Sequence, residues 1–472
     1  VPTLTLVKLK SNNPDTTLAK ATETVTLEFT SSETIGEPSV LINGVDATVT
    51  GFGTSWEATY PVPDYRAKVS TLAGTTGTSG STDGMGTSAK LNNPYSITTD
   101  GTSLYVADFG NHTIRKIVIS SGAVTTLAGT AGSSGTTDGT GTAARFNGPT
   151  GITTDGTNLY VAEVYNHTIR KIVISSGVVT TLVGTAGTSG STDGTGTAAR
   201  FYKPVGLTTD GTNLYVADTY NHTIRKIVIS SGVVTTLAGT AGTSGTTDDT
   251  GTAAKFKNPE GITTDGTNLY VAGSNHTIRK VVISSGVVTT LAGTAGSPGS
   301  ADGTGTAAKF YYPTGLTTDG TNLYVSGYSM HTIRKVVISS GVVTTLAGMA
   351  GTDGSTDGTG TAAKFYLPIG TTIDGSNLYV VDRYNHTIRK INLVGDTVNF
   401  RVDFADAAGN SGTVDSTTDS SRVAVDLEAP TLSKVEVSSS NANTQGQTEQ
   451  LAKAEDTITL TVESSEALKS LS

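Results

Sequence analysis

The chain contains six histidines, and each precedes a recurring Thr-Ile-Arg-Lys motif. They are His112, His167, His222, His276, His331 and His386, spaced 55, 55, 54, 55 and 55 residues apart. Imidazole nitrogens bind transition metals and exchange protons near neutral pH. The histidines are therefore candidates for a metal centre or for acid–base catalysis. The alternative is a structural hydrogen bond that recurs in every copy.

Each histidine belongs to a longer repeat whose pattern predicts four strands. Strand a is Gly-Ile-Thr-Thr, strand b is Leu-Tyr-Val-Ala, strand c is Thr-Ile-Arg-Lys-Ile-Val-Ile and strand d is Val-Val-Thr-Thr-Leu. The Asp-Gly between strands a and b is a strong hairpin signal. The first recognisable strand, residues 68–72, has the character of strand d, and the last repeat ends on strand c. The first strand is thus predicted to complete the last sheet and to close six sheets into a ring.

This ring geometry argues against a shared metal site. Equivalent histidines are expected roughly 10 Å apart, because strand b lies one strand spacing outside strand a. A zinc ion needs its nitrogen ligands at about 2 Å. The sequence therefore favours a structural hydrogen bond at the start of each strand c. Cysteine is absent and no histidine is unique, which leaves few positions for a catalytic constellation.

Composition indicates an all-β protein without a basic or membrane-spanning segment. The 472 residues include 57 glycines and carry a net charge of −9. Nucleic-acid binding relies on concentrated Lys and Arg, so nucleic acid is excluded as a partner. No apolar run approaches the roughly 20 residues of a membrane helix, so no membrane insertion is expected. The beginning Val-Pro-Thr-Leu lacks the regions of a signal peptide and indicates a mature chain or a fragment.

The segments on either side of the repeats predict β-sandwich domains. Alternating apolar residues at 25–29 and 56–60 are typical of sandwich strands. The ring should begin and end at neighbouring positions, which is what insertion into another domain requires. Residues 1–64 and 394–429 are thus predicted to form one sandwich that is split by the ring at 65–393. Motifs near Pro2 recur from Pro430, so residues 430–472 are expected to start a second, incomplete sandwich.

The Asn-His-Thr-Ile-Arg-Lys units resemble NHL-repeat β-propellers over residues 65–393. The resemblance implies a six-bladed β-propeller with four-stranded blades. The flanks resemble the tandem immunoglobulin-like domains of large bacterial surface proteins, including adhesins. The matching segments are Ser31-Ser-Glu-Thr-Ile-Gly, Gly53-Thr-Ser-Trp-Glu-Ala-Thr-Tyr and Asp406-Ala-Ala-Gly-Asn. That resemblance implies an extracellular or cell-surface location in a bacterium.

One face of the ring collects the positions at which the repeats differ. Antiparallel strand order places the b–c loops and the d-to-a crossovers on the same face, which is expected to point away from the split sandwich. Nine of the 17 tyrosines fall there, and we call it the tyrosine face. Tyrosine both stacks and hydrogen-bonds, which suits sugar or peptide recognition, and packing between blades is the alternative. The candidate ligand-binding residues are Tyr95, Phe109, Tyr165, Tyr202, Lys203, Tyr220, Lys257, Glu260, Tyr311, Tyr312, Tyr328, Tyr366, Arg383 and Tyr384.

Carboxylates suggest two further sites. A Gly-rich segment recurs six times around Asp83, Asp138, Asp193, Asp248, Asp302 and Asp357. It lacks the Gly-Lys-Ser of a phosphate loop, so the aspartates are interpreted as loop formers and Thr-Ala-Ala-Lys-Phe as a short helical turn. Asp406, Asp426 and Glu428 could offer oxygen ligands to calcium at the sandwich boundary, and solvated surface carboxylates are the alternative.

Three functional hypotheses follow from these patterns. The first is a non-catalytic extracellular binding or adhesion module whose tyrosine face recognises a glycan or a peptide. The second is a structural subunit of a surface layer or filament, in which copies of the chain pair through sandwich strands. The third is a lyase or lactonase of the propeller type with a metal in the channel. The first is preferred because tyrosines gather on one face, whereas no catalytic set is visible.

Overall fold

The structure is a computed structural model that describes residues 4–11, 24–31, 34–42, 45–61, 67–393, 400–405, 411–414, 432–439 and 458–464. The chain divides into two compact units. One consists of Val1–Arg66 with Leu393–Ser472, and the other is Ala67–Asn392. No α-helix occurs among these residues, and none of their helices is long and apolar enough to cross a membrane.

The strands are numbered in chain order. The first seven are β1 (Leu4–Ser11), β2 (Thr24–Ser31), β3 (Ser39–Ile42), β4 (Val45–Asp46), β5 (Thr48–Phe52), β6 (Ser55–Pro61) and β7 (Lys68–Ala73). Sheet 1 contains β8 (Gly84–Met85), β9 (Ser96–Thr99), β10 (Ser103–Asp108), β11 (Thr113–Val118) and β12 (Ala123–Ala128). Sheet 2 contains β13 (Gly139–Thr140), β14 (Pro149–Thr154), β15 (Asn158–Glu163), β16 (Thr168–Val173) and β17 (Val178–Val183). Sheet 3 contains β18 (Gly194–Thr195), β19 (Pro204–Thr209), β20 (Asn213–Asp218), β21 (Thr223–Val228) and β22 (Val233–Ala238).

The remaining sheets follow the same order. Sheet 4 contains β23 (Pro259–Thr264), β24 (Asn268–Gly273), β25 (Ile278–Val282) and β26 (Val288–Ala292). Sheet 5 contains β27 (Gly303–Thr304), β28 (Pro313–Thr318), β29 (Asn322–Gly327), β30 (Thr332–Val337) and β31 (Val342–Gly348). Sheet 6 combines β7 with β32 (Gly358–Thr359), β33 (Pro368–Ile373), β34 (Asn377–Asp382) and β35 (Thr387–Asn392). The last strands are β36 (Phe400–Ala405), β37 (Ser411–Val414), β38 (Leu432–Ser439) and β39 (Ile458–Ser464).

The unit Ala67–Asn392 is built from sheets 1 to 6, and it closes on itself. Neighbouring innermost strands contact each other in the cycle β9, β14, β19, β23, β28, β33 and back to β9. Strand β7 pairs antiparallel with β35, with Val69 opposite Ile391, so the first strand of this unit does complete its last sheet. The beginning and the end of this unit are therefore adjacent, as the order of the repeats predicted.

The sheets carry one strand more than the repeat pattern predicted. In every sheet except sheet 4, a two-residue strand pairs with the outer strand, as Gly139 and Thr140 do with Val179 and Val178. The Gly-Thr-Gly-Thr part of the recurring Asp segment forms this outer strand and a following 3-10 turn. The 3-10 helices are Gly86–Ser88, Phe109–Asn111, Gly141–Ala143, Gly196–Ala198, Thr219–Asn221, Gly251–Ala253, Gly305–Ala307, Gly360–Ala362 and Arg383–Asn385. The predicted helical turn therefore begins slightly earlier than Thr-Ala-Ala-Lys-Phe.

Apolar seams join consecutive sheets. Tyr105 and Ile114 of sheet 1 pack in one buried cluster with Phe146 and Leu159 from the following repeat. A corresponding cluster combines residues of sheet 6, such as Tyr379, with residues of the first repeat. Burial of aromatic and aliphatic surface at every seam supplies the main stabilising contribution.

The innermost strands approach each other closely at the Pro-x-Gly with which they begin in five of the six repeats. A Cβ atom on Gly315 would lie 1.8 Å from the carbonyl oxygen of Ile369 in the next inner strand. The same position of sheet 3, Gly206, would place its Cβ atom 1.9 Å from the carbonyl oxygen of Glu260. A side chain at Gly206 or Gly315 would thus collide with the neighbouring backbone, whereas the first repeat has Ser96 at the same position.

The other unit contains strands from both sides of the ring. Strands β1, β2, β6 and β5 form one antiparallel sheet in that order. A second sheet has the order β37, β36, β3, β4, in which Val40 is opposite Val402. A strand before the ring thus pairs with a strand after it. Strands β38 and β39 pair with each other.

Candidate functional site

A buried arginine in each repeat fixes the loops of the tyrosine face. Arg225 of strand β21 donates from Nη1 to Asp218 Oδ2 at 2.9 Å and from Nη2 to Asp193 Oδ1 at 2.7 Å. Asp218 also accepts from the Asn221 side chain and from the backbone N–H of Tyr202. It therefore ties the b–c loop to the crossover of the same repeat. Burial raises the pKa of Asp218 to about 6, although Asn221 and Arg225 oppose the increase.

The recurring aspartates have a larger role than loop formation. Asp193 binds Arg225 and accepts two hydrogen bonds from Thr236 in the outer strand β22. Asp138 does the same with Arg170 and Thr181. Each of these carboxylates thus neutralises a buried guanidinium and fastens the outer edge of its sheet. This arrangement supports the rejection of a phosphate loop.

Sheets 4 and 5 depart from this frame. The position of Asp218 is occupied by Gly273 in sheet 4 and by Gly327 in sheet 5. Burial lowers the pKa of Arg279 and of Arg334, each of which retains one carboxylate partner, Asp248 or Asp302. Sheets 4 and 5 therefore lack the buried carboxylate that lies beneath the tyrosine face in the other four sheets.

The histidines make the structural hydrogen bond that the sequence predicted. The Nδ1 atom of His222 accepts from the backbone N–H of Asn258 at 3.2 Å, and His386 accepts from Asn93 at 3.1 Å. The other four histidines make equivalent bonds to the crossover of the next repeat. Burial lowers the pKa of His222, which favours the neutral imidazole that can accept. Each histidine thus serves a separate seam, and no group of metal-ligating side chains forms within the described residues.

Seven tyrosines are exposed within residues 67–393, and every one lies among the predicted tyrosine-face positions. Their exposed fractions are between 37% and 50%: Tyr165, Tyr202, Tyr220, Tyr311, Tyr312, Tyr366 and Tyr384. By contrast, the tyrosines of strand b are buried, and their phenols bond to the aspartate of the Asp-Gly turn, as Tyr160 does to Asp155. Exposure thus separates the candidate ligand-binding tyrosines from those of the core.

Four residues from four different repeats meet at the centre of the tyrosine face. Arg383 Nη1 donates to the Tyr328 hydroxyl at 2.8 Å, Tyr328 donates to the Tyr95 hydroxyl at 3.2 Å, and Tyr95 reaches Glu260 Oε2 at 3.5 Å. We call Tyr95, Glu260, Tyr328 and Arg383 the central network. Tyr95 and Glu260 follow the same proline of the repeat, in sheets 1 and 4. Those sheets are three steps apart in either direction, so the Tyr95–Glu260 contact spans the ring axis.

Burial controls the protonation of the central network. It raises the pKa of Glu260 to about 7, although the Tyr95 hydrogen bond and the charge of Arg383 favour the ionised form. Burial, Tyr328 and Glu260 together raise the pKa of Tyr95 well above its ordinary value. Burial also raises the pKa of Tyr328. Both phenols are therefore neutral hydrogen-bonding groups at physiological pH.

Aromatic rings surround the guanidinium of this network. The Cζ atom of Arg383 lies 5.1 Å from the ring centre of Tyr95, 5.5 Å from Phe109, 5.8 Å from Tyr328 and 5.7 Å from Tyr384. Such distances allow cation–π attraction. Tyr165 packs against Phe109, and Tyr366 packs against Tyr384. Eight of the 14 candidate residues thus form one patch: Tyr95, Phe109, Tyr165, Glu260, Tyr328, Tyr366, Arg383 and Tyr384.

The other candidate residues lie outside this patch. Tyr202 and Tyr220 form a ring pair at 5.3 Å, with Lys203 Nζ 4.6 Å from the Tyr220 ring centre. Tyr311 and Tyr312 pair at 5.3 Å beside His276. Lys257 is exposed. The proposed calcium ligands Asp406, Asp426 and Glu428 lie outside the described residues.

Comparison with known proteins identifies the class of fold. NHL repeat-containing protein 2 from Homo sapiens is 31% identical over 341 residues, which cover 64% of this chain and 46% of that protein. The chain thus spans about half the length of the curated relatives it matches. An auxiliary nutrient binding protein from Bacteroides ovatus has a TM-score of 0.57 at 16% identity, covering 82% of this chain and 97% of its own. A Bacteroides thetaiotaomicron protein of unknown function has a TM-score of 0.55 at 20% identity, covering 82% and 98%.

The class that these findings define is an all-β protein whose repeated sheets form a β-propeller. No family model matches the chain. The sequence relatives nevertheless support an NHL-repeat propeller, in agreement with the resemblance seen in the motifs.

Proposed function

We propose that the ring is a six-bladed NHL-type propeller that acts as a non-catalytic binding or adhesion module, and that its tyrosine face recognises a glycan or a peptide. The observation that carries the proposal is the placement of all seven exposed tyrosines of residues 67–393 on that face. Exposed aromatic rings are costly to leave in water and are enriched where proteins bind partners. Paired rings such as Tyr311 and Tyr312 offer flat surfaces next to hydroxyl groups.

The architecture proposed around the ring is an immunoglobulin-like sandwich that the propeller interrupts. It is supported by the pairing of β3 with β36, whose strands precede and follow the ring. The resemblance of the flanks to bacterial surface proteins motivates the proposed extracellular or cell-surface location. The likeness to the nutrient binding protein of Bacteroides ovatus is a likeness of fold, so the proposed binding role depends on the residues of this chain.

Screening the full chain on glycan and peptide arrays tests the binding function. We expect a ligand whose binding weakens in Tyr311→Ala and Tyr312→Ala and is unchanged in Val178→Ala. Val178 is an exposed apolar residue next to a c–d turn, on the opposite face, and is thus a matched control. Absence of any ligand, or equal binding by all variants, would contradict the proposal.

Deletion of the propeller tests the split domain. Joining Asp64 directly to Gly395 should leave a folded β-rich remainder, because β3 and β36 keep their pairing and each part retains its own core. Thermal melting followed by circular dichroism measures this. An unfolded remainder from a chain that is stable when intact would show that the two flanks are not one domain.

A further inference from the structure

We propose that Arg383 and the phenols of the central network bind the carboxylate of an acidic sugar, so that the ligand of the tyrosine face is a glycan containing uronic-acid residues. This inference rests on the proposed binding function of the same face and names the ligand class. It depends on three observations. Arg383 has donors without a partner, the tyrosine face carries more basic than acidic candidate residues, and most of its crossover N–H groups are already bonded within the protein.

Arg383 is less fully paired than Arg389, the strand-c arginine of the same repeat. Arg389 donates to two carboxylates, Asp357 and Asp382, and to two carbonyl oxygens. Arg383 makes one hydrogen bond, to Tyr328. The Nε atoms of Arg383 and Arg389 are both buried without a partner, so the two arginines differ at their terminal nitrogens. No carboxylate among the described residues forms an ion pair with it. Since a guanidinium presents five donors in a fork that matches a carboxylate, this arrangement leaves the guanidinium with donors for an external anion.

The charge of the tyrosine face also suits an acidic ligand. Among its described candidate residues, Lys203, Lys257 and Arg383 are positive and Glu260 alone is negative. The carboxylates that end strand b are buried in ion pairs with the arginines of strand c, as Glu163 is with Arg170. Within the central network, Arg383 is the basic group and Glu260 the acidic one, while Lys203 and Lys257 add positive charge elsewhere on the same face. The face as a whole therefore favours anions, although the chain carries a net charge of −9.

The remaining groups favour a sugar over a peptide. Most crossover N–H groups are already taken. A histidine Nδ1 atom accepts from one in every repeat, as from Asn258, and in sheets 1, 2, 3 and 6 a strand-b carboxylate accepts from a second, as from Tyr202. A peptide that binds as an added strand is recognised through its main chain and would find few free backbone donors here. A pyranose ring can instead pack on Phe109 and Tyr384 beside Arg383, while its hydroxyls meet side-chain oxygens such as that of Glu260.

The test uses the full chain and isothermal titration calorimetry. The probes are an oligogalacturonate, its fully methyl-esterified form, a neutral galactose oligomer and a short peptide with a free C-terminal carboxylate. We expect the free acid to bind at least about ten-fold more tightly than its ester. Arg383→Gln should remove that preference, whereas Arg383→Lys, which keeps the charge and loses the fork, should retain part of it. Thermal melts establish that both variants are folded.

The possible outcomes separate this inference from the proposed function. Equal binding of acid and ester by the unaltered chain would overturn it, and this comparison requires no variant to fold. Tyrosine-dependent binding of the neutral oligomer or of the peptide alone would overturn the acidic-sugar inference and leave the binding function standing. If none of the probes bound and the arrays also gave no ligand, both would fail.

Discussion

Removal of the Asp218 carboxylate should destabilise the propeller strongly, because it would leave the Arg225 guanidinium buried with half of its counter-charge. The side chains of both residues are fully buried and lie 2.9 Å apart. Breaking a buried pair from one side costs about 3–5 kcal/mol. Asn221 and the N–H of Tyr202 would also lose their acceptor. For a unit of the size of Ala67–Asn392, we expect Asp218→Ala to lower Tm by roughly 4–7 °C.

The other partner of the same arginine provides the control. The Asp193 side chain lies 2.7 Å from Arg225 and is 49% exposed, so water can replace it. The ion pair itself is then worth about 1 kcal/mol or less, and the two bonds to Thr236, which are exposed to water, add about 0.5–1 kcal/mol each. Asp193→Ala should therefore cost clearly less than Asp218→Ala. Urea denaturation at pH 8, where Asp218 is ionised, measures both.

A double variant distinguishes the cost of an unpaired buried charge from the cost of lost side-chain packing. Asp218→Ala combined with Arg225→Met removes both charges and keeps a long apolar side chain in the space of the guanidinium. Replacement of a buried ion pair by apolar groups is often neutral. We expect the double variant to recover a substantial part of the stability lost in Asp218→Ala. Equal losses for Asp218→Ala and Asp193→Ala, or no recovery in the double variant, would refute the reasoning.

Three further changes test other parts of the ring. His222→Ala should cost about 0.5–1.5 kcal/mol in urea denaturation, because the partly buried N–H of Asn258 loses its acceptor, and EDTA should leave Tm unchanged. Gly315→Ala should cost at least about 1–3 kcal/mol, since its Cβ atom would lie 1.8 Å from the Ile369 carbonyl oxygen. The pKa of Glu260 is raised to about 7 in the folded chain, against about 4.3 in the unfolded chain. The folded chain therefore binds the proton more tightly, and the stability that this supplies at low pH is lost as pH rises from about 4.3 through 7. The Tm of the unaltered chain relative to that of Glu260→Gln should thus fall from pH 5 to pH 8, and a constant difference would contradict the assignment.

The sequence predicts the repeat, its strands and the pairing of the first strand with the last repeat. Local patterns determine the first two, and the count of strands determines the third. Hairpin turns and alternation are visible over a few residues, and the strand left over at each end determines the pairing of β7 with β35. The two-residue outer strands could not be predicted, since Gly-Thr has no strand pattern of its own. Their pairing depends on a neighbour about 40 residues away, such as Val179 for Gly139.

The buried ion pairs were missed although the sequence contains a signal for them. Arg170 and Asp138 are 32 residues apart, as are Arg225 and Asp193. An arginine that recurs on a core-facing strand requires a counter-charge, and an aspartate at fixed spacing could supply it. Each aspartate segment, taken alone, has only the features of a loop. The ion pair is formed between segments, so only a comparison of both spacings would have found it.

The central network shows how a repetitive frame produces a site without symmetry. The residue after the proline of strand a is Tyr95, Thr150, Val205, Glu260, Thr314 and Ile369 in the six repeats. Ring closure brings the same position of every repeat to the axis, so two long polar side chains three repeats apart can meet across it. The sequence could predict that these positions share the axis. It could not predict which side chains bond, because that depends on the reach of each side chain and on the loops of other repeats.

The loop of sheet 5 illustrates that dependence. Gly327 stands where other repeats have a buried acid, and a Cβ atom there would lie 2.3 Å from the carbonyl oxygen of Tyr312. Met330 replaces the asparagine that would have bonded to that acid, and it is 1% exposed. Gly327 and Met330 thus together replace the hydrogen-bonded acid and asparagine of other repeats, and the loop is held by apolar packing instead. Tyr328, which directly follows Gly327, donates to Tyr95 and accepts from Arg383. The repeat that departs furthest from the common pattern therefore supplies the link between the guanidinium and the ring axis.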